Sequence, residues 1–229
     1  MRRIIVSTNR IGAFAAAAQA VLWLTFIVFI LAINPIVGLT GPRDLEDPAR
    51  LLPVLDSHPA MLVFPALDGL VGLSLLAVVI VTQLLTQRNT PAALCRTALG
   101  FGIAAAVGFI ALSVVRVASL PVLADLYSAQ GSAMTTIFEL TNAVHNAMSA
   151  GTRFALGIWL ILVAVATLRI RPIPRWLTFF GLVLGAVNVA SAYVPVVAAP
   201  NLVAIPLMFA ALAVVFVRAD SSVDGGPRG

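Results

Sequence analysis

Charged residues are scarce in this chain: Asp, Glu, Lys and Arg together make up 10% of its 229 residues, whereas hydrophobic residues make up 61%. An ordinary soluble domain has about 25% charged and about 45–50% apolar residues. The composition therefore excludes a typical soluble domain. It also excludes a disordered chain, because disorder requires low hydrophobicity and high net charge. The sequence predicts an integral membrane protein.

Lysine is absent, so all 14 basic residues are arginines, and the net charge is +5. These arginines lie at the ends of apolar runs and not in a basic patch with interleaved aromatic residues, so we expect no nucleic-acid partner. Cys95 is the only cysteine, which excludes an internal disulfide and a CxxC pair. The two histidines, His58 and His145, match no metal or haem motif, and we expect no metal and no cofactor.

The chain contains several long apolar runs. A helix needs about 20 residues to cross the hydrocarbon core, and the runs lack the alternation of a membrane barrel. The sequence predicts an all-α polytopic membrane helix bundle, with one six-span domain over residues 1–218 and a flexible cytoplasmic tail over 219–229. The predicted transmembrane helices cover residues 11–33, 60–85, 97–120, 135–168, 176–195 and 198–217.

The arginines also predict an orientation. The loops at 88–96 and 169–175 carry only basic charges, whereas the long loop at 34–59 is mixed in charge. The positive-inside rule then places both termini in the cytoplasm and the 34–59 loop outside the cytoplasmic (inner) membrane. Within that loop, Asp47-Pro48 predicts the start of a short interfacial helix, because proline fits the first helical turn.

Ionisable residues interrupt three predicted spans. Counted from the basic residues at the inner ends, Asp68, Arg116 and Arg153 lie about 30, 30 and 24 Å away along their helices, at about 1.5 Å per residue. They therefore share one level in the outer half of the membrane. Asp68 and Arg116 lie on consecutive antiparallel spans, and we expect an ion pair between them. Ionisable groups inside spans are costly and suggest a functional site.

The fourth span adds a polar stripe, whose residues recur every three or four positions and fall within roughly 80° of the helix surface. Its members are Glu139, Asn142, Asn146, Ser149 and Arg153, with His145 at the edge. We expect this face to point into the bundle and to form a polar pocket open to the outside. The predicted ligand-binding residues are Asp68, Arg116, Glu139, Asn142, His145, Asn146 and Arg153, and Asn188 and Tyr193 contribute from the fifth span.

Three functions are compatible with this pattern. The first is binding or transport of a small amphipathic or anionic molecule, a lipid included, with Arg116 and Arg153 meeting the anion. The second is a membrane enzyme that uses Glu139 and His145 as acid and base, although the sequence contains no known catalytic motif. The third is a structural subunit of a membrane complex, in which the polar residues satisfy one another.

Two further questions stay open at this level. Small residues at four-residue spacing, such as Gly181 and Gly185, are typical of packing inside one bundle or of a homo-oligomer interface. The sequence also leaves open whether the pocket is accessible to water or closed by the 34–59 loop.

Several motifs resemble a family of bacterial multi-pass membrane proteins that is defined as domain of unknown function 4386. They are the basic and glycine segment Asn9-Arg10-Ile11-Gly12, the acidic residue Asp68, and the run from Trp159 through Pro174-Arg175-Trp176-Leu177 to Gly181 and Gly185. The resemblance implies a bacterial membrane location and the same order of spans. It implies no activity, and Arg116, Glu139 and His145 are not among its features.

Overall fold

The structure is a computed structural model that describes residues 2–87, 90–130, 134–168, 173–194 and 200–224. Within these ranges all regular secondary structure is helical. The helices are α1 (Arg2–Val28), α2 (Asn34–Ile36), α3 (Pro48–Ser57), α4 (Val63–Thr86), α5 (Ala92–Gln130), α6 (Thr135–Leu168), α7 (Arg175–Tyr193) and α8 (Asn201–Asp224). A π-helical turn, Phe29–Ile33, joins α1 to α2.

Six helical segments are long and apolar enough to cross a membrane, which confirms the predicted fold class: the chain is an all-α, multi-pass membrane protein. They cover Thr8–Ile36, Pro59–Thr86, Ala92–Gln130, Thr135–Leu168, Arg175–Tyr193 and Asn201–Arg218. Most predicted boundaries fall within a few residues of these. Some predicted features fall outside the described residues. They are the predicted span ends at 195 and 198–199, the loop arginines Arg88, Arg169 and Arg171, and tail residues 225–229.

The third span is longer than the sequence predicts. The predicted span ends at Leu120, but α5 continues through Pro121 to Gln130. Proline removes one backbone hydrogen bond from a helix. Leu123 and Ala124, beyond the proline, are buried in a cluster with residues of α3, and this packing supports the extra turns.

The spanning helices form a ring in the order α8, α1, α4, α5, α6, α7. Among the described residues, neighbouring helices pack closely along five seams, whereas the seam between α7 and α8 is much looser. The core inside the ring includes the fully buried side chains of Leu75, Val78, Leu156 and Trp159.

Close helix packing depends on glycine where α6 meets α7. A Cβ on Gly157 would lie 2.6 Å from the carbonyl oxygen of Gly185, and a Cβ on Gly185 would lie 2.8 Å from that of Gly157. Gly181 faces Met208 of α8. The small residues of the fifth span therefore pack inside the bundle, while Gly100 on α5 faces open space.

The long loop folds back over α5 and α6. As predicted, a short helix begins at Pro48, and Asp47 caps it by accepting a 2.9 Å hydrogen bond from the Ala49 N–H. Apolar residues of this helix and of the two spans form a second small core, which contains Leu51, Leu52, Leu55, Leu120, Leu123 and Phe138.

Asp44 orders the first part of the loop. Its carboxylate accepts hydrogen bonds from the N–H groups of Thr40 at 2.7 Å and Gly41 at 3.0 Å, and pairs with the Arg50 guanidinium at 2.9 Å. Desolvation raises the pKa of this carboxyl group, but the hydrogen bonds and the charge of Arg50 outweigh that effect, so the pKa lies below its ordinary value of 3.8. The loop is thus held in place by an ionised carboxylate.

Candidate functional site

All six spans contribute to one cavity inside the ring, which we call the central cavity. Its volume is about 210 Å³. An apolar cavity of about 150 Å³ accommodates benzene, so the central cavity has room for a molecule of roughly ten non-hydrogen atoms. It is lined by Trp23, Asp68, Phe109, Leu112, His145, Ser149, Arg153, Leu156, Asn188, Asn201, Leu202 and Ile205.

Four buried polar atoms at this cavity have no hydrogen-bond partner among the described residues. They are Trp23 Nε1, His145 Nδ1, Asn188 Oδ1 and Asn201 Oδ1. The great majority of buried polar groups in proteins are paired, and leaving one unpaired costs about 1–3 kcal/mol. The four residues that carry these atoms come from four different helices and line the same cavity. This is the arrangement expected where a polar molecule binds.

Arg153 brings a positive charge to the central cavity. Its side chain is partly buried, and its Nε donates a long hydrogen bond, 3.4 Å, to the carbonyl oxygen of Ser149 one turn earlier. Within the described part of the chain no carboxylate pairs with its guanidinium. The planar end of Arg153 is therefore available to an anion.

Asp68 brings a negative charge to the same cavity from α4. Next to it, Arg116 lines a second, smaller cavity of about 10 Å³, which has room for about one water molecule. Arg116 Nη2 donates a 3.4 Å hydrogen bond to Asn142 Oδ1. Negative charges that act on Arg116 are Asp68 and Glu46, the latter from the 34–59 loop.

The direct ion pair predicted between Asp68 and Arg116 is not found in the described part of the chain. The guanidinium of Arg116 contacts Asn142 in the second cavity, whereas Asp68 lines the central cavity. The two charges therefore attract each other without touching. Leu51 of α3 lines the second cavity, so the 34–59 loop covers this part of the site.

The structure brings together five of the seven residues predicted to bind a ligand. Asp68, His145 and Arg153 line the central cavity, and Arg116 and Asn142 line the second cavity, which also contacts His145.

Glu139 and Asn146 are exposed and line neither of these two cavities. The physical reason is helical register. One residue turns a helix by about 100°, and the inward face of α6 follows Phe138, His145 and Thr152, each of which comes one residue before a member of the predicted stripe. Arg153 still reaches the cavity because its side chain is long. Tyr193 is also exposed and stacks edge-on against Phe154.

Two residues with unpaired polar atoms at the central cavity were not predicted from the sequence. Trp23 resembles an interfacial anchor in the sequence, but its indole N–H is buried at the cavity. Asn201 lies near the start of the sixth predicted span, and in the structure it is the first residue of α8, 5% exposed. A lone polar side chain next to an apolar run is the signal that both share. Among the described residues, no three His, Cys, Asp or Glu side chains are grouped closely enough to hold a metal ion.

Comparison with protein-family models places these residues in a family. Residues 20–218 match the model described as Domain of unknown function (DUF4386). The chain belongs to this family. Every residue that lines the central cavity lies in the matched region, as do Asp68 and the 174–185 segment that suggested the family, whereas Asn9–Gly12 precedes it. No curated protein and no solved structure matches this DUF4386 chain.

Proposed function

We propose that this DUF4386 protein binds a small molecule in the central cavity and that Arg153 contacts an anionic group of that molecule. The observation that carries the proposal is that four residues with unpaired, buried polar atoms line a cavity that also holds a guanidinium without a carboxylate partner in the described chain. A bound anion that also carries a hydrogen-bond donor accounts for both features at once.

The polar atoms of the cavity indicate the chemistry of the ligand. Arg153 and the indole N–H of Trp23 donate hydrogen bonds, and a guanidinium binds carboxylate or phosphate with two parallel bonds. The Oδ1 atoms of Asn188 and Asn201 accept hydrogen bonds, as does the carboxylate of Asp68. This combination favours an anion that also carries a hydrogen-bond donor such as a hydroxyl group.

The apolar side of the cavity favours a ligand with an apolar part. Phe109, Leu112, Leu156 and Ile205 line it beside the polar residues. Sites of this kind, mostly apolar with a few convergent polar groups, are typical of small-molecule binding. Glu139 lines neither polar cavity, so the geometry favours binding over catalysis by Glu139 and His145.

The proposal includes an orientation. We place the central cavity in the outer half of a bacterial inner membrane, with both termini in the cytoplasm. The support is the distribution of arginines and the position of the outer loop, which packs over the second cavity through Leu51. In this arrangement the ligand binds from the outer leaflet or from the periplasmic side.

Native mass spectrometry of the gently purified protein tests the proposal. We expect a defined non-protein mass on the wild type that is lost in a folded Arg153→Ala variant, because the anion loses its guanidinium. Arg96→Ala is the matched control, since Arg96 is exposed and lines neither polar cavity. The proposal is wrong if the same adducts, or none, are found on all three proteins.

A further inference from the structure

The seam between α7 and α8 is the least tightly packed contact between neighbouring helices of the ring. The Gly157–Gly185 contact holds α7 against α6, and α8 packs along α1. Along their shared seam, however, α7 and α8 contact each other much less than any other neighbouring pair in the ring. Separating α7 from α8 would therefore break fewer contacts than separating any other neighbouring pair of the ring.

An apolar groove lies on the membrane side of this seam. It is lined by Trp176, Phe179, Phe180 and Val183 of α7 and by Leu207 and Ala211 of α8. The side chains of Trp176, Phe179, Val183 and Leu207 are all more than half exposed. The groove therefore offers an apolar surface to a hydrocarbon chain.

The central cavity borders the same seam, further toward the outer side. Asn188 of α7 and Asn201 and Ile205 of α8 line it, whereas the groove begins at Val183 and Leu207. Polar, unpaired atoms thus lie above an apolar groove, and the same two helices form both. A molecule that follows the seam would have a polar end in the cavity and an apolar end in the groove.

The length of the seam suits one acyl chain. Asn188 and Trp176 are 12 residues apart on α7, which corresponds to about 18 Å at about 1.5 Å per residue. The hydrocarbon core of a bilayer is about 30 Å thick, so a chain in one leaflet extends over about 15 Å.

We propose that the ligand is a single-chain anionic amphiphile that enters from the membrane between α7 and α8. Its head binds at Arg153 in the central cavity and its chain lies in the α7–α8 groove. This inference rests on the proposed function and adds the class of ligand and its route. A second copy of the protein would cover the groove but would leave the polar atoms of the cavity unused, so the amphiphile is the occupant that fits both halves of the seam.

Two probes with the same kind of head group test the occupant, the long one by photo-crosslinking and the short one by thermal unfolding. The long probe is a lysophosphatidate, which has one acyl chain and a glycerol phosphate head, with a diazirine in mid-chain. The short probe is glycerol 3-phosphate, whose stabilising effect is measured by thermal unfolding. In the wild type we expect crosslinks on the peptides that contain Phe179, Val183 and Leu207. In Ala211→Phe, where the new ring fills the groove, we expect crosslinking to fall about tenfold, in the range typical of overpacking.

Controls separate this inference from the proposed function. Ala104→Phe makes the same change at an exposed position on α5 and should crosslink as the wild type does. Glycerol 3-phosphate should stabilise the wild type and Ala211→Phe but not Arg153→Ala. If glycerol 3-phosphate shows this pattern while the long probe labels other helices, the lateral route is wrong and the binding function stands. If neither probe depends on Arg153, both proposals fail.

One further outcome would replace the amphiphile with a protein partner. Native mass spectra of the same variants report the oligomeric state. If Ala211→Phe dissociates a dimer and leaves the crosslinks of the long probe unchanged, the groove is a protein interface, which overturns the inference.

Discussion

Replacing Asn188 with leucine should stabilise the ligand-free protein and at the same time remove ligand binding. Asn188 is 1% exposed, and its Nδ2 donates to the carbonyl oxygen of Leu184 at 2.9 Å. Its Oδ1, in contrast, is buried without a partner in the described chain. Leucine has the same number of side-chain non-hydrogen atoms as asparagine, branches at the same carbon and has no polar atom.

The magnitude follows from two opposing effects. An unpaired buried polar atom costs about 1–3 kcal/mol, and an ordinary hydrogen bond contributes about 0.5–1.5 kcal/mol. The Leu184 carbonyl oxygen still has the backbone partner that an α-helix provides, so loss of the side-chain bond leaves no new unpaired atom. The free energy of unfolding should therefore rise by about 1 kcal/mol, which corresponds to about 2–4 °C in Tm for a domain of this size.

Thermal unfolding of the delipidated protein in detergent measures the first effect, and native mass spectrometry measures the loss of the adduct. Asn146→Leu is the matched control, because Asn146 is exposed on α6 and should change stability by less than about 0.5 kcal/mol. A fall in Tm for Asn188→Leu with the adduct retained would refute the reasoning, since Asn188 would then be an ordinary structural contact.

Two further predictions concern the α6–α7 contact and the 34–59 loop. Gly185→Ala should destabilise the protein by about 1–3 kcal/mol, because the new Cβ would lie 2.8 Å from the Gly157 carbonyl oxygen. The control is Gly100→Ala, whose new Cβ meets nothing within 4 Å and which should be neutral or stabilising by up to about 1 kcal/mol. Equal Tm values for the two variants would contradict the tight α6–α7 contact. Because the pKa of Asp44 is depressed, its contribution to loop stability is complete above the unfolded value of 3.8 and is lost as the pH falls through the folded pKa. Hydrogen-exchange protection of the 34–59 loop, taken relative to the intrinsic exchange rate at each pH, should therefore fall below about pH 3.8 in the wild type. In Asp44→Asn the protection should be low at neutral pH as well, and unchanged protection in that variant would count against the role of Asp44.

The spans and the general position of the polar site were predictable, because each depends on a property that the sequence shows directly. Continuous apolar runs must become helices in a membrane, and an ionisable residue in such a run avoids lipid. Asp68, His145 and Arg153 were placed together on this basis, and the structure brings all three to the central cavity.

The finer geometry was not predictable, because it depends on rotations of about 100°. The stripe on α6 suggested a face that contained Asn146, whereas the packed face contains His145, one residue earlier. Hydrophobicity does not distinguish these faces well, since the residues between the polar positions are apolar on both sides. Trp23 and Asn201 were missed because their roles depend on which helices meet, and pattern alone does not show that α1 and α8 border the same cavity as α6.

The central claim is that Arg153 and the unpaired polar atoms around it bind an anion, and an experimental structure of the protein purified from its own membrane tests it most directly. At a resolution that separates individual waters, we predict one continuous feature in the central cavity, larger than a chain of waters, in contact with Arg153 and at least two of Trp23, Asn188 and Asn201. Isolated waters that satisfy these atoms, or a guanidinium of Arg153 paired directly with Asp68, would contradict the account.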